Sequence, residues 1–179
     1  MNQSYRWPLV SLHWLTLLLI VAAFVIAQIL EDMALSPLKL KLYAWHKWLG
    51  MCVLFLLLPR LLLRLTDRLD HAAGLLPWEI QVSRLVHGAL YGLMFAVPLI
   101  GWLSSSAAGF SVVWFGLLPL PDLVGKDKAL ADTLQELHAA SVYLLLVLVA
   151  LHAAAALYHQ YIRRDGVLAR MIPWMRNGK

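Results

Sequence analysis

Residues 137–162 read LHAASVYLLLVLVALHAAAALYHQYI and contain no Asp, Glu, Lys or Arg. A helix crosses a bilayer with about 20 predominantly apolar residues, so this segment is long enough to span. Within it lie His138, His152 and His159. Ionisable side chains at membrane depth are costly and usually mark a functional site. The segment therefore predicts a membrane helix that carries histidine chemistry inside a bundle.

Three more apolar segments accompany it, at about residues 9–30, 42–63 and 85–103. The chain of 179 residues is 61% hydrophobic and 14% charged, with a mean hydropathy of +0.72. A water-soluble protein of this size could not bury that much apolar surface. A membrane β-barrel would need many short alternating strands instead. We therefore predict an all-α integral membrane four-helix bundle, formed by a single domain over residues 1–179, with Pro98 kinking the third helix.

A fifth apolar stretch, residues 107–120, contains Gly109, Gly116 and Pro119. It is shorter than a spanning helix and is interrupted by these helix-breaking residues. We expect it to lie at the membrane interface or to be re-entrant.

Basic residues are distributed unevenly between the two predicted faces of the membrane. The face with both chain ends and the second connection holds Arg6, Arg60, Arg64, Arg68, Arg84, Arg163, Arg164, Arg170, Arg176 and Lys179. The opposite face holds Lys39, Lys41, Lys47, Lys126 and Lys128. The positive-inside rule then predicts a bacterial inner-membrane protein with both ends in the cytoplasm. Lipid headgroups account for the net charge of +5, and we expect no nucleic-acid partner.

Six of the seven histidines lie in or at the ends of the predicted spans: His13, His46, His87, His138, His152 and His159. A single buried histidine could simply hydrogen-bond to a neighbouring helix. Six histidines would each need a compensating partner. Metal binding supplies one, because a neutral imidazole is a good metal ligand. The histidines therefore indicate a metal-containing bundle.

The spacing of the histidines predicts two metal sites at different depths. His138 and His152 are 14 residues apart on one helix. Their α-carbons are therefore about 21 Å apart along the axis and lie nearly on one face. This layout suits two haems in the bundle core, each with a second ligand from another helix. His46 shares the depth of His138 and forms the outer pair with it, while His13 is the preferred partner of His152 and His87 remains an alternative on spacing alone.

Other metal centres fit the sequence less well. The predicted spans contain no glutamate, whereas di-iron bundles need several. Zinc usually takes four nitrogen, sulfur or oxygen ligands, and the chain has one cysteine, Cys52. Paired histidines favour the bis-histidine iron of haem. The sequence contains no C-x-x-C-H motif, so the haem would be held non-covalently as haem b.

Several motifs occur at matching places along the chain: residues 11–14 (SLHW), 45–46 (WH) followed by Gly50, 97–101 (VPLIG), 151–157 (LHAAAAL) and 168–173 (LARMIP). Together with the order and spacing of the histidines, they resemble the bacterial cytochrome b561 family. The resemblance covers nearly the whole chain.

The resemblance implies four helices, two b haems and electron transfer with ubiquinone. By position, it implies that His13 and His152 bind one haem and that His46 and His138 bind the other. Members of the family that are similar to this chain act as superoxide oxidases. They take an electron from periplasmic superoxide and pass it to quinone.

A quinone site is expected near the cytoplasmic ends of the helices, at His87, His159 and Trp14. Imidazoles there could hydrogen-bond to a quinone carbonyl or supply protons on its reduction, and His159 is the candidate catalytic residue. His87 and His159 are equally interpretable as interfacial side chains, and Trp14 as a membrane-interface anchor. Where the chain has Gln160, relatives often carry a second consecutive histidine.

On the outer face, Lys47 is the second candidate catalytic residue, because a lysine near His46 would attract superoxide, a small anion. Acidic residues on the same face keep its net charge from being positive. Lys41 is better explained as a snorkelling interfacial lysine. His71, beside Asp70 in a cytoplasmic loop, is expected to be solvated.

The leading interpretation is an oxidoreductase that carries electrons from superoxide to ubiquinone across the lipid bilayer. An alternative is a di-haem anchor subunit that relays electrons from a partner dehydrogenase to the quinone pool. The short loops offer little docking surface, so a protein partner is not required. A third interpretation, a histidine-lined ion or metal transporter, predicts a protein without haem.

Overall fold

The computed structural model describes residues 5–66 and 75–172 and contains four long helices. Their bounds are α1 Trp7–Glu31, α2 Pro37–Thr66, α3 Pro77–Ala107 and α4 Lys128–Tyr158. All four are long and apolar enough to cross a membrane, which confirms the predicted all-α membrane bundle. Helices α1, α2 and α3 extend beyond their predicted apolar segments at both ends, whereas α4 begins nine residues earlier than predicted and ends at Tyr158, four residues before the predicted end. His71, Arg68, Arg176 and Lys179 lie outside the described residues.

Local sequence explains where the helices begin. Proline occupies one of the first two positions of α1, α2 and α3, where its missing N–H has no helical partner to lose. Asp127 caps α4 by accepting a hydrogen bond from the backbone N–H of Leu130 at 3.1 Å. These signals set the register of the histidines on each helix.

The bundle consists of two antiparallel helix pairs. Helix α1 packs closely on α2, and α3 packs closely on α4, while contact between the pairs runs mainly between α2 and α3. A small core at this junction contains Val53, Leu90, Met94, Val97 and Leu145. Leu145 is midway along α4 between His138 and His152. The core therefore forms an apolar layer between the two predicted histidine levels.

Most of the helical surface is apolar and exposed. Leu18 is 65% exposed, Leu58 63% and Leu151 58%, and all three lie well inside their helices. Such a surface suits hydrocarbon as the surrounding solvent. Only α2 and α3 contain internal prolines, Pro59 and Pro98, among the helices described.

The fifth apolar stretch forms a β-hairpin between α3 and α4. Strand β1, Val113–Trp114, pairs antiparallel with β2, Leu118–Pro119. The tight turn between them has positive φ at Phe115 and Gly116, as in a type I′ turn. The hairpin lies against α2, because Trp48 Nε1 donates to the carbonyl of Val113 at 2.7 Å. This stretch is therefore not a membrane-spanning helix.

At the opposite end of the bundle, α4 continues into a π-helical turn, His159–Arg163. The chain then reverses at Arg164, which has a left-handed conformation with φ of 54°. A 3₁₀ turn, Leu168–Arg170, follows. Trp14 Nε1 donates to the carbonyl of Met171 at 3.0 Å, so this returning segment is attached to the start of α1.

Packing of the central layer can be tested with two neighbouring leucines on α4. Leu145 is 4% exposed in the core, whereas Leu144 is 52% exposed on the lipid-facing surface. We expect Leu145→Ala to lower the free energy of unfolding by about 2 kcal/mol, because the cavity loses van der Waals contacts even where lipid removes most of the hydrophobic term. Leu144→Ala should change it by less than about 0.5 kcal/mol. Equilibrium unfolding in detergent measures both, and equal losses would contradict the central position of Leu145.

Candidate functional site

The outer histidine pair joins the two helix pairs. His46 on α2 faces His138 on α4, with ring centres 6.2 Å apart and planes inclined by 82°. Two metal–imidazole bonds of about 2 Å, together with the distance from each nitrogen to its ring centre, add up to roughly 6 Å. The separation of the two rings therefore matches what one metal ion between them requires.

Backbone carbonyls orient both outer rings. Nδ1 of His46 donates to the carbonyl of Ala23 at 2.9 Å, and Nδ1 of His138 donates to the carbonyl of Val97 at 3.0 Å. A carbonyl can only accept, so each ring carries its proton on Nδ1 and keeps the Nε2 lone pair free. Metal-binding histidines are held in this tautomer by the same kind of contact. The outer pair is thus arranged for ligation through Nε2.

Two glycines lie near these rings. A Cβ on Gly101 would lie 2.9 Å from Cε1 of His138, so only glycine lets α3 approach this ring so closely. Gly50 follows His46 by about one helical turn, and nothing in the described chain lies within 4 Å of the place where its Cβ would be. Gly101 therefore lets α3 pack against the ring of His138, while Gly50 leaves open space one turn from His46.

The inner level contains three histidines rather than two. His152 on α4 faces His13 on α1 with ring centres 6.2 Å apart, the same separation as in the outer pair. His87 on α3 lies nearer to His152, at 5.1 Å. Its Nδ1 donates to the carbonyl of Ser83 at 2.6 Å, so His87 also has a free Nε2. The metal-compatible separation favours His13, whereas the tautomer of His87 resembles that of the outer ligands.

A guanidinium distinguishes the inner level from the outer one. Nη2 of Arg60 lies 2.8 Å from Nδ1 of His13. Because arginine only donates, Nδ1 of His13 accepts, and a neutral ring then carries its proton on Nε2. His13 is therefore not in the tautomer that His46 and His138 adopt.

The candidate metal ligands lie in facing pairs rather than in larger clusters. Within residues 5–66 and 75–172, no group of three or more His, Cys, Asp or Glu side chains is placed to hold a metal ion. Facing imidazoles at this separation would suit bis-histidine binding of haem iron. Fold and site together define the class of membrane cytochromes that hold haem between helices.

A comparison with known families gives the same result. The model of the family described as prokaryotic cytochrome b561 matches residues 4–174. The chain therefore belongs to the prokaryotic cytochrome b561 family, whose members bind b-type haem and transfer electrons in membranes.

Curated relatives cover nearly the full length of the chain. A protein named probable superoxide oxidase, from Yersinia pestis, is 30% identical over 183 residues, which is 98% of this chain and 99% of the relative. Cytochrome b561 homolog 1 from Escherichia coli is 29% identical and covers 92% of this chain and 94% of its own length. Cytochrome b561 homolog 2 from the same organism is 29% identical, with 96% and 93% covered.

The outer lysines have different environments. Lys47 Nζ turns towards the end of α3, where it donates to Ser105 Oγ at 3.2 Å and lies 3.5 Å from the carbonyl of Phe110. Lys41 lies over the ring of Trp45 at 5.1 Å, in agreement with an interfacial lysine. Lys39 and Lys47 are both half-buried, but Lys39 donates to the nearby carbonyl of Met33, whereas Lys47 reaches across to α3.

The inner end brings together several predicted quinone-site residues. Nδ1 of His159 donates to Oδ2 of Asp165 at 2.5 Å, which leaves Nε2 of His159 available. The ring of Trp14 packs edge-on against His13 at 5.3 Å, but its N–H is already bonded to Met171. Oε1 of Gln160 is buried without a hydrogen-bond partner among the described residues.

The sequence did not predict the structural roles of three residues at these sites. Gly101 was noted only as part of a motif, Arg60 only as an inner-face charge, and Asp165 not at all. A signal for Arg60 did exist, because it lies well before the end of its apolar helix and a snorkelling arginine would be nearer the end.

The close approach at Gly101 makes a prediction about haem content. We expect Gly101→Ala to displace the ring of His138, because the new Cβ would lie 2.9 Å from it, and to remove haem from this level. The measurement is haem per protein by pyridine haemochrome assay, with a reduced-minus-oxidised spectrum.

The matched control is Gly92→Ala on the same helix, where the added Cβ meets nothing within 4 Å in the described chain. It should keep its full haem content. A Gly101→Ala protein with the haem content of the unmodified chain would argue against His138 as a ligand.

Proposed function

We propose that this chain is a di-haem b-type cytochrome of the bacterial inner membrane that oxidises periplasmic superoxide and reduces ubiquinone. The observation that carries the proposal is the pair of 6.2 Å histidine separations at two levels of one bundle. Each pair takes one ring from the α1–α2 unit and one from α4. The naming of a full-length relative as a probable superoxide oxidase supports the choice of substrate.

In this proposal His46 and His138 hold the outer haem, and His13 and His152 hold the inner haem. When bound, haem iron supplies one-electron chemistry, which the protein's own side chains lack. The His13 pairing is preferred because His87 is too close to His152 for iron to fit between those rings as they stand. His87 is then free to contact quinone.

The overall reaction sets different tasks for the two faces. Two superoxide ions lose one electron each and become two molecules of oxygen, while one quinone takes up two electrons and two protons to become quinol. The outer face must therefore attract an anion and needs no proton donor. The inner face must bind a neutral quinone and supply protons.

Lys47 and His159 match these two tasks. The ammonium of Lys47 provides a positive charge at the outer level, one residue from His46. At the inner end Nδ1 of His159 donates to Asp165, so Nε2 is the nitrogen left to take up a proton and pass it to a substrate. The excess of basic residues at this end places it in the cytoplasm, where protons are taken up.

The central experiment uses the purified chain in liposomes containing ubiquinone. Under anaerobic conditions, pulses of superoxide should reduce the haem bands and then produce about one quinol for every two superoxide ions consumed. Added superoxide dismutase should abolish the reduction. Haem bands that superoxide leaves oxidised would contradict the proposal and favour the anchor-subunit alternative. A preparation without haem after expression with ample haem would favour the transporter alternative.

Lys47 can be tested against another lysine of the same face. We expect Lys47→Gln to slow haem reduction by superoxide by about tenfold and to weaken its dependence on salt, because an attractive charge near the site is lost. Reduction by an uncharged quinol should be unchanged. The control is Lys128→Gln, whose exposed side chain pairs with Asp132. Equal effects of the two substitutions would count against a specific role for Lys47.

The choice between His13 and His87 is tested by two alanine variants. We expect His13→Ala to remove one of two haems and His87→Ala to keep both, while slowing haem reoxidation by quinone. Haem content and stopped-flow reoxidation measure the two effects separately. Loss of a haem in His87→Ala, with full content in His13→Ala, would reverse the assignment.

A further inference from the structure

Arg60 is a cation inside the bundle whose partners are all uncharged groups. It lies six residues before Thr66, the last residue of α2. Its guanidinium touches Nδ1 of His13 at 2.8 Å and Sδ of Met94 at 3.5 Å, and lies 5.4 Å from the ring centre of Tyr91. Its Nε is buried and has no hydrogen-bond partner among the described residues.

A half-buried guanidinium at membrane depth calls for an anion, because its partly desolvated charge is otherwise not compensated. None of the carboxylates in residues 5–66 and 75–172 forms an ion pair with Arg60. The nearby inner-face acids have other partners: Glu79 pairs with Arg163 at 3.0 Å, and Asp165 pairs with His159. Within residues 5–66 and 75–172, no protein group therefore supplies a counter-anion to Arg60, and a bound molecule is the source that we consider.

The contact between Arg60 and His13 cannot persist when His13 binds iron through Nε2. A histidine that gives its Nε2 lone pair to a metal carries its proton on Nδ1. Nδ1 and the guanidinium would then be two donors facing each other at hydrogen-bonding distance. Arg60 must consequently turn to another acceptor as the site fills.

We propose that Arg60 binds a carboxylate of the inner haem and thereby retains that haem and raises its reduction potential. This inference rests on the proposed function, in which His13 and His152 are the ligands of the inner haem. Haem b carries two propionate carboxylates, and a guanidinium binds a carboxylate through two parallel hydrogen bonds. A positive charge beside the iron also favours the form that has gained an electron. The outer pair has no equivalent cation in contact with either ring in the described structure, so the effect is confined to the inner level.

The first test is a redox titration of the haem-loaded protein with three variants. Arg60→Met should lower the midpoint potential of one haem and leave the other unchanged. Arg60→Lys should restore part of the shift, because it keeps the charge without the bidentate geometry. Arg64→Met is the matched control: Arg64 is an exposed arginine one turn further along α2 that lies over the ring of Tyr5 at 5.5 Å, and its effect on the potential should be much smaller than that of Arg60→Met.

The second test identifies the carboxylate. The full-length apo-protein is reconstituted with haem b or with its dimethyl ester, and the release of the inner haem to apomyoglobin is followed. In the unmodified chain, esterification should speed release by about tenfold or more, the equivalent of one charge-assisted hydrogen bond. In Arg60→Met, release should already be fast, and the ester should add little, because the two changes remove the same interaction.

Equal ester effects in the unmodified chain and in Arg60→Met would overturn the inference, as would an unchanged inner-haem potential in Arg60→Met. Either result would leave the proposed function intact, since superoxide could still reduce both haems. A chain that binds no inner haem at all would instead overturn the proposed function together with this inference.

Discussion

An imidazole inside a bilayer is stable only when both of its nitrogens have partners, and this requirement organises the molecule. At the outer level, one nitrogen of each ring is bonded to a backbone carbonyl of a neighbouring helix. The other nitrogen has no such carbonyl partner, and the centres of the two rings are 6.2 Å apart. A protein side chain in that gap would bring the helices together, whereas a metal-bound flat cofactor keeps them apart. Haem held in that gap would account for the modest contact between the two helix pairs.

The histidine rings of the two levels have different hydrogen-bond partners, and these partners affect electron uptake in opposite ways. The outer rings bond to carbonyls, which place partial negative charge near the site. The inner ring of His13 meets the guanidinium of Arg60 instead. Negative dipoles disfavour an added electron, and a nearby cation favours it. With haem at both levels, these ring contacts would favour the inner site as the electron acceptor, and the positive charge of Lys47 beside His46 at the outer level would reduce that difference.

The sequence was sufficient for the elements whose cause is local. Four apolar runs predicted four helices, and the 14-residue interval between His138 and His152 predicted two levels, because both follow from helix geometry. Other features depend on contacts between distant segments. The hairpin at Phe115 and Gly116 depends on packing against Trp48, and the choice between His13 and His87 depends on how far α3 and α1 lie from α4. Spacing along one helix carries no information about that distance.

The contacts of Asp165 show why the inner end needed a structure. Asp165 lies six residues after His159 in the sequence. On a regular helix, side chains at this spacing are not neighbours. The π-helical turn and the left-handed Arg164 reverse the chain and bring the carboxylate to the imidazole. The same reversal directs the following segment to Trp14, beside His13. The irregular backbone at the end of α4 thus connects His159, proposed to deliver protons, with the inner histidine level, proposed to deliver electrons. The reduction of a quinone requires both at one site.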